Sequence, residues 1–87
     1  MNNARREKVA EIAYRLEEVQ AILNNICDQL EAVKAEEQEA LNNMPESLQD
    51  SAKGCQMQEY IYTIGSVLNE IYYLDLEVMR DQLLEFV

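Results

Sequence analysis

The chain has 87 residues, which is enough for one domain. Its 17 acidic and seven basic residues give a formal net charge of −10, and it contains no histidine. Direct binding to nucleic acid is not expected, because neutralising phosphates requires lysine and arginine. Folding buries only about two-thirds of the unfolded surface at this size, so a second copy would help to complete the core.

Nothing in the sequence indicates a membrane or a secreted protein. No segment approaches the roughly 18 apolar residues of a membrane span, and the N-terminus leads into charged residues rather than an apolar signal core. Cys27 and Cys55 are too few for a disulfide framework and are expected to be free thiols. We therefore expect a cytoplasmic protein with no membrane partner.

The first predicted element is a long helix over residues 3–43, which Asn2 or Asn3 can cap. Its apolar residues alternate at spacings of three and four, which is typical of coiled-coil-like packing. One predicted column of this seam is Val9, Leu16, Leu23, Leu30, Glu37 and Met44, and the other is Ile12, Val19, Ile26, Val33 and Ala40. The residues expected to flank the seam are Ala13, Ile22, Cys27 and Leu41.

A connector over residues 44–51 is predicted to follow this helix. Pro45 lacks an amide hydrogen and disfavours a helical conformation at Met44, so the helix should end near Asn43. Pro45 suits the first position of a short helical turn, and Asp50 or Ser51 can cap the helix that follows.

The second predicted helix covers residues 52–85 and carries two apolar stripes. The first stripe is Tyr60, Ile64, Val67, Ile71, Leu74 and Val78. The second, which we expect to mediate self-association, is Ile61, Leu68, Tyr72, Met79, Leu83 and Phe86. One partner helix cannot cover both stripes, so the sequence predicts a homodimer. The expected fold class is all-α: residues 1–87 form an antiparallel helical hairpin that dimerises into a four-helix bundle.

The region around the connector resembles a known group of proteins. The segment Asn43-Met44-Pro45-Glu46-Ser47-Leu48-Gln49, preceded by Glu36-Glu37-Gln38-Glu39-Ala40, is similar to short acidic helical proteins of phages and prophages of Gram-positive bacteria. The match covers residues 36–51, and the opening Asn-x-Ala-Arg-Arg is also similar. The resemblance implies a phage setting and a location in the cytoplasm of a bacterial host.

No residue pattern predicts catalysis, a metal or a cofactor. Without histidine there is no Ser-His-Asp or Cys-His arrangement and no Glu-x-x-His motif. Cys55 lies near a helix N-terminus and Lys53, but no base accompanies it, so an ordinary cysteine is the better interpretation. Two cysteines 28 positions apart do not form a zinc site. We therefore expect a protein that is not an enzyme.

The candidate partner-binding residues are tyrosines and glutamates outside the predicted seam. Tyrosine offers a large contact area at low entropic cost, so exposed tyrosines on an acidic helix can anchor a partner. The candidates are Tyr62, Tyr73, Glu11, Glu18, Glu31 and Glu39. Tyr60 and Tyr72 belong to the apolar stripes and are expected in the core. The alternative role for the exposed tyrosines is to line the self-association interface.

Three functions fit these observations. The first is a non-enzymatic phage or prophage binding protein that engages a basic host protein through an acidic helical face. Such a protein could interfere with host defence or mimic nucleic-acid charge. The second is a sequestering protein that holds a nucleotide in a pocket between subunits, with Arg5, Arg6 and Arg15 as its possible anion ligands. The third is a structural protein that only oligomerises.

Overall fold

A computed structural model describes residues 1–87, of which 86% are helical, and it contains no strand. The all-α prediction is confirmed. The helices are α1 (Asn3–Asn42), α2 (Glu46–Gln49), α3 (Ala52–Tyr73) and α4 (Leu76–Leu84). The chain divides into two compact units: a terminal unit, Met1–Asn25 with Tyr73–Val87, and a central unit, Ile26–Tyr72.

The two ends of α1 follow from local chemistry. The side-chain oxygen of Asn2 accepts a hydrogen bond from the Arg5 amide at 2.9 Å, which satisfies one of the free amides of the first turn. At the other end α1 stops at Asn42, and Pro45 has an extended conformation with φ −53° and ψ 139°. Of the two predicted cap candidates, Asn2 is the one used, and the predicted break before Pro45 is confirmed.

Side-chain hydrogen bonds fix the corner between α2 and α3. The Ser51 hydroxyl accepts from the Gly54 amide at 3.3 Å and donates to the Leu48 carbonyl. The Gln58 side chain donates to the Gln49 carbonyl at 3.2 Å. Ser51, one of the two predicted candidates, is therefore the cap of α3. The last carbonyls of α2 are satisfied within the corner.

The second helix is interrupted, although the sequence predicts an unbroken helix over residues 52–85. The structure ends α3 at Tyr73 and begins α4 at Leu76. Asp75 adopts φ −94° and ψ 87°, and its carboxylate accepts from the Val78 amide at 3.2 Å. An aspartate in this position offers the backbone an alternative to continuing the helix.

In the central unit α1 and α3 run antiparallel. Glu31 meets Tyr72, whereas Glu37, further along α1, lies beside Gln56 near the start of α3. The buried apolar residues between these helices are Cys27, Leu41, Met57 and Leu68. In the terminal unit the buried residues are Ala13 of α1 and Leu76 of α4.

One column of the predicted α1 seam is confirmed and the other is wrong. Each member of the leucine-rich column is at least half-buried: Val9, Leu16, Leu23, Leu30, Glu37 and Met44. The residues that alternate with them inside the seam are Ala13, Gln20, Cys27, Lys34 and Leu41. The more apolar column predicted for this role is exposed: Ile12, Val19, Ile26, Val33 and Ala40. The buried set that begins at Ala13 and the exposed set that begins at Ile12 are both spaced three and four residues from the leucine-rich column. Spacing alone therefore cannot decide which of the two sets is buried.

The two stripes predicted for the second helix are also divided differently. The inward face of α3 takes residues from both stripes: Ile61, Ile64, Leu68 and Ile71. Leu68, predicted to contact a second copy, is only 2% exposed within a single chain, and Ile61 and Leu83 are half-buried. The premise that the hairpin partner cannot reach this stripe is therefore wrong. Of the predicted self-association residues, only Tyr72, Met79 and Phe86 remain exposed.

Candidate functional site

The central unit has a groove between α1 and α3, here called the Val33–Tyr60 groove. It has a volume of about 620 Å³. The groove is lined by Val33, Glu37, Gln56, Glu59, Tyr60, Thr63 and Ile64. An apolar surface with a few polar groups around it is the usual composition of a protein binding site.

Charge is distributed unevenly between the two units. Residues 26–72 contain nine of the 17 acidic residues but only two of the seven basic ones, a net charge of −7. The terminal unit holds eight acidic and five basic residues and carries the remaining −3. The central unit is therefore the more strongly attractive to a cationic partner.

A second, smaller groove of the central unit is more polar. It has a volume of about 330 Å³ and is lined by Lys34, Ile61, Tyr62, Gly65, Ser66 and Asn69. Lys34 is half-buried in the seam, and Gly65 leaves room beside its side chain. Lys34 therefore lines the smaller groove, whereas Glu37 and Glu59 line the Val33–Tyr60 groove.

Tyr72, near the end of α3, is hydrogen-bonded to α1 within the central unit. Its hydroxyl donates to the Glu31 carboxylate at 3.1 Å. Partial desolvation of the hydroxyl, and next its hydrogen bond to Glu31, raise the pKa of Tyr72 above its ordinary value. Glu31 is thus held by a partner within the chain, unlike a freely rotating surface glutamate.

Arg80 has the corresponding role in the terminal unit. Its guanidinium pairs with Glu17 of α1 and with Asp81 of α4, each at 2.8 Å. The hydrogen bond to Asp81 raises the pKa of Arg80 despite the opposing effect of partial burial, and the bond to Glu17 acts in the same direction. The guanidinium lies in a cleft with Gln20, Ala21, Asn24 and Glu77. Arg80 is therefore already ion-paired with carboxylates of its own chain.

The predicted partner-binding residues are all exposed but are not all brought together. Tyr62 and Tyr73 are 78% and 89% exposed, and Glu11, Glu18, Glu31 and Glu39 also lie at the surface. Tyr62, Glu31 and Glu39 belong to the central unit, whereas Tyr73, Glu11 and Glu18 belong to the terminal unit.

The placement of Tyr60 and Tyr72 in the core is wrong, because they are 51% and 59% exposed. The apolar spacing does not predict the Val33–Tyr60 groove, because by spacing alone both Val33 and Tyr60 belong to buried stripes. The spacing of Tyr60, Val67 and Leu74, seven residues apart and all exposed, is the signal that a second face exists on this side of the second helix.

Several features carry no assigned chemistry. Cys27 is buried as predicted, and the exposed thiol of Cys55 lies 3.6 Å from the Asp50 carbonyl oxygen; both cysteines are free. No group of three or more cysteine, aspartate and glutamate side chains is placed to hold a metal ion. No helix has both the length and the apolar character needed to cross a membrane.

Comparison with known proteins returned no match to a family model, a curated protein or a solved structure.

Proposed function

We propose that the protein is a non-enzymatic phage or prophage binding protein that engages a basic host protein in the bacterial cytoplasm. The observation that carries this proposal is the concentration of a net charge of −7 in residues 26–72, on a unit that also has an open groove. All of these acidic side chains except the half-buried Glu37 are solvent-exposed, and they have few cationic neighbours, so their field acts on other molecules. The resemblance of residues 36–51 to phage and prophage proteins supports the setting.

The role proposed for the complex is interference with host defence or with a DNA-binding protein. A surface rich in carboxylates can occupy the cationic residues with which such a protein would otherwise contact phosphates. Exposed tyrosines on the same helices supply apolar contact area, so recognition does not depend on charge alone.

The nucleotide-sequestering alternative has less support. The ring of Tyr60 in the Val33–Tyr60 groove could stack on a base, but Glu37 and Glu59 line the same groove and no lysine or arginine does. A phosphate entering it would face carboxylates. Arg5, Arg6 and Arg15 are exposed residues of α1 outside this groove.

We also propose that the working unit is a homodimer, assembled as a four-helix bundle from two copies. The terminal unit supports this, because its exposed apolar residues include Ile12, Val19 and Ile22, at spacings of seven and three along α1. Its net charge of −3 opposes self-association less than the −7 of the central unit.

A quantitative pull-down from a Gram-positive host lysate tests the binding function. The bait is the tagged protein, and the test variant replaces Glu11, Glu18, Glu31 and Glu39 with glutamine. A control variant makes the same charge change at the exposed residues Glu7, Glu46, Glu77 and Glu85. We expect mass spectrometry to find a basic protein with wild type and control but not with the test variant.

The other outcomes of the pull-down contradict the proposal in distinct ways. A nucleotide that co-purifies without any protein would favour the sequestering function. Recovery of the bait alone from lysates of several hosts would favour a structural protein that only self-associates. Equal loss of the partner with both variants would show that net charge, and not these four glutamates in particular, attracts it.

A further inference from the structure

The Val33–Tyr60 groove is lined by both apolar and acidic side chains. Val33, Tyr60 and Ile64 supply apolar atoms, and the groove remains open although it lies between two packed helices. Val33 is 50% exposed, and the Tyr60 ring is exposed to a similar extent. Val33 and Tyr60 are therefore not covered by another apolar surface, whereas the seam residues of α1 and α3 cover one another.

The charged side chains of the groove have one sign only. Glu37 and Glu59 line it, and neither has an ion pair within the chain. Of the two basic residues of the central unit, Lys34 lines the smaller groove and Lys53 lines neither. The groove thus presents two carboxylates next to apolar side chains without an internal counter-ion.

We propose that this groove binds an arginine or lysine side chain from a basic amphipathic segment of the partner protein. The proposal rests on the proposed function and adds the location and chemistry of the contact. The aliphatic part of the side chain lies along Val33 and Ile64, as long basic side chains do on apolar surfaces. Its charged end lies toward Glu37 and Glu59, where hydrogen bonds to carboxylates are charge-assisted. The face of Tyr60 adds a cation–π contact.

Charge complementarity favours this occupant over a second copy of the chain. A copy docked on the groove through the same face would bring its own Glu37 and Glu59 toward these two carboxylates. Like charges opposed across an interface disfavour the complex. A basic segment removes the same apolar surface from water and also neutralises the carboxylates. Burial and charge neutralisation therefore both favour binding of a basic segment.

The test uses the full chain and a synthetic 15-residue helical peptide with leucine on one face and arginine on the other. A control peptide carries citrulline, which is neutral and nearly isosteric, in place of each arginine. Fluorescence anisotropy measures the Kd, and backbone amide shifts locate the binding site. We expect the arginine peptide to shift amides along the groove and to bind at least about tenfold more tightly than the citrulline peptide.

Two protein variants separate the groove from general acidity. Glu37→Gln with Glu59→Gln should weaken binding of the arginine peptide at least about tenfold. Glu46→Gln with Glu70→Gln makes the same charge change at exposed positions outside the groove and should change the Kd less than about threefold. Because Glu37 is half-buried, a second variant, Thr63→Arg, places a guanidinium at the groove from an exposed position. Thr63→Arg should weaken binding of the arginine peptide by a similar factor. Its circular dichroism spectrum should show that the protein remains helical.

Four results would overturn the groove proposal. Equal weakening by the groove and control variants would mean that binding follows net charge, and a partner captured in the pull-down would then still support the proposed function. Amide shifts confined to other residues, or no binding of the arginine peptide, would show that the groove is not the site. Groove amides that shift with protein concentration alone would assign it to a second copy.

Discussion

Polar residues occupy several seam positions, and Gln20 is the least satisfied of them. Its side-chain nitrogen donates to Asn24 at 2.9 Å, but its side-chain oxygen is buried and has no hydrogen-bond partner. A buried acceptor left without a donor loses its hydration without compensation. Apolar patterning could not predict this, since Val19, the adjacent residue, is the better seam residue by hydropathy.

Replacing Gln20 with leucine should stabilise the fold by about 1 kcal/mol, because it removes the unsatisfied oxygen and adds apolar surface to the seam. Urea unfolding followed by circular dichroism measures the change. Gln38→Leu is a matched control: Gln38 makes the same type of bond, to Asn42 at 3.0 Å, on an exposed surface. It should alter stability by less than about 0.5 kcal/mol. A Gln20→Leu protein less stable than this control would mean that the seam orientation is wrong.

Tyr72 should make stability depend on pH in the alkaline range. Its raised pKa means that the folded state favours the neutral phenol, because tyrosinate would be partly desolvated and would also face the Glu31 carboxylate. Its contribution is therefore fully present below the ordinary tyrosine pKa and is lost as the pH rises through the raised pKa of the folded state.

Urea unfolding at a series of pH values from neutral to alkaline tests this prediction. We expect the free energy of unfolding to fall more steeply in wild type than in Tyr72→Phe once the pH exceeds about 10. Tyr62→Phe removes an exposed hydroxyl of the same unit and should follow wild type. Parallel curves for all three proteins would show that the contact with Glu31 has no influence on folding.

At the scale of the elements, helix ends were largely predictable and the interruption of the second helix was not. Asn2, Pro45 and Ser51 act through local chemistry that a sequence displays directly. The break before α4 depends on Asp75, which is equally compatible with an exposed position inside a helix. The flanking pattern, with Leu74 before the cap and Met79 at the fourth helical position, is that of a hydrophobic staple and was the available signal.

The two glycines of α3 should respond oppositely to substitution by alanine. A Cβ atom on Gly54 would lie 2.8 Å from the Leu48 carbonyl oxygen, 2.6 Å from the Gln49 carbonyl carbon and closer still to its oxygen. These atoms belong to the backbone of the α2–α3 corner and cannot move aside without opening it. At Gly65 the nearest atom is the flexible end of Lys34, at 3.5 Å.

We therefore expect Gly54→Ala to destabilise the protein by about 1–3 kcal/mol or more, because the corner must open. Gly65→Ala should stabilise it by about 0.5–1 kcal/mol through helix propensity. Thermal unfolding followed at 222 nm measures both, and each variant is the other's control for the loss of a helical glycine. Equal changes in stability for the two substitutions would contradict the close approach of Gly54 to the backbone of Leu48 and Gln49.

At the scale of the whole molecule, the sequence predicted the class of fold and the exposure of the acidic and tyrosine candidates, but not the groove. The class follows from composition and periodicity, which do not depend on how one helix is rotated against another. The groove depends on that rotation: turning α1 by one position moves Val33 from the seam to its edge, beside Tyr60. Side-chain size and packing determine this rotation, and they act between residues distant in sequence.

Our last prediction is that the chain is a dimer held together by its terminal unit. Ile12, Val19 and Ile22 are 52%, 44% and 60% exposed, and α4 of the same unit adds the exposed Val78 and Met79. Apolar surface of this extent on a monomer normally indicates an interface. Burying it against a second copy should offset the repulsion between terminal units, which salt also screens.

Sedimentation equilibrium at micromolar concentration measures the assembly directly. Wild type should behave as a dimer of the 10.1 kDa chain, and Ile12→Lys with Ile22→Lys should behave as a monomer with unchanged helicity. Leu48→Lys changes a similarly exposed apolar residue of the central unit and should remain dimeric, because the proposed interface excludes it. If wild type is monomeric, this face is free for another protein. If only Leu48→Lys dissociates, the interface belongs to the central unit, and the groove beside Val33 is then the first place to look for the second copy.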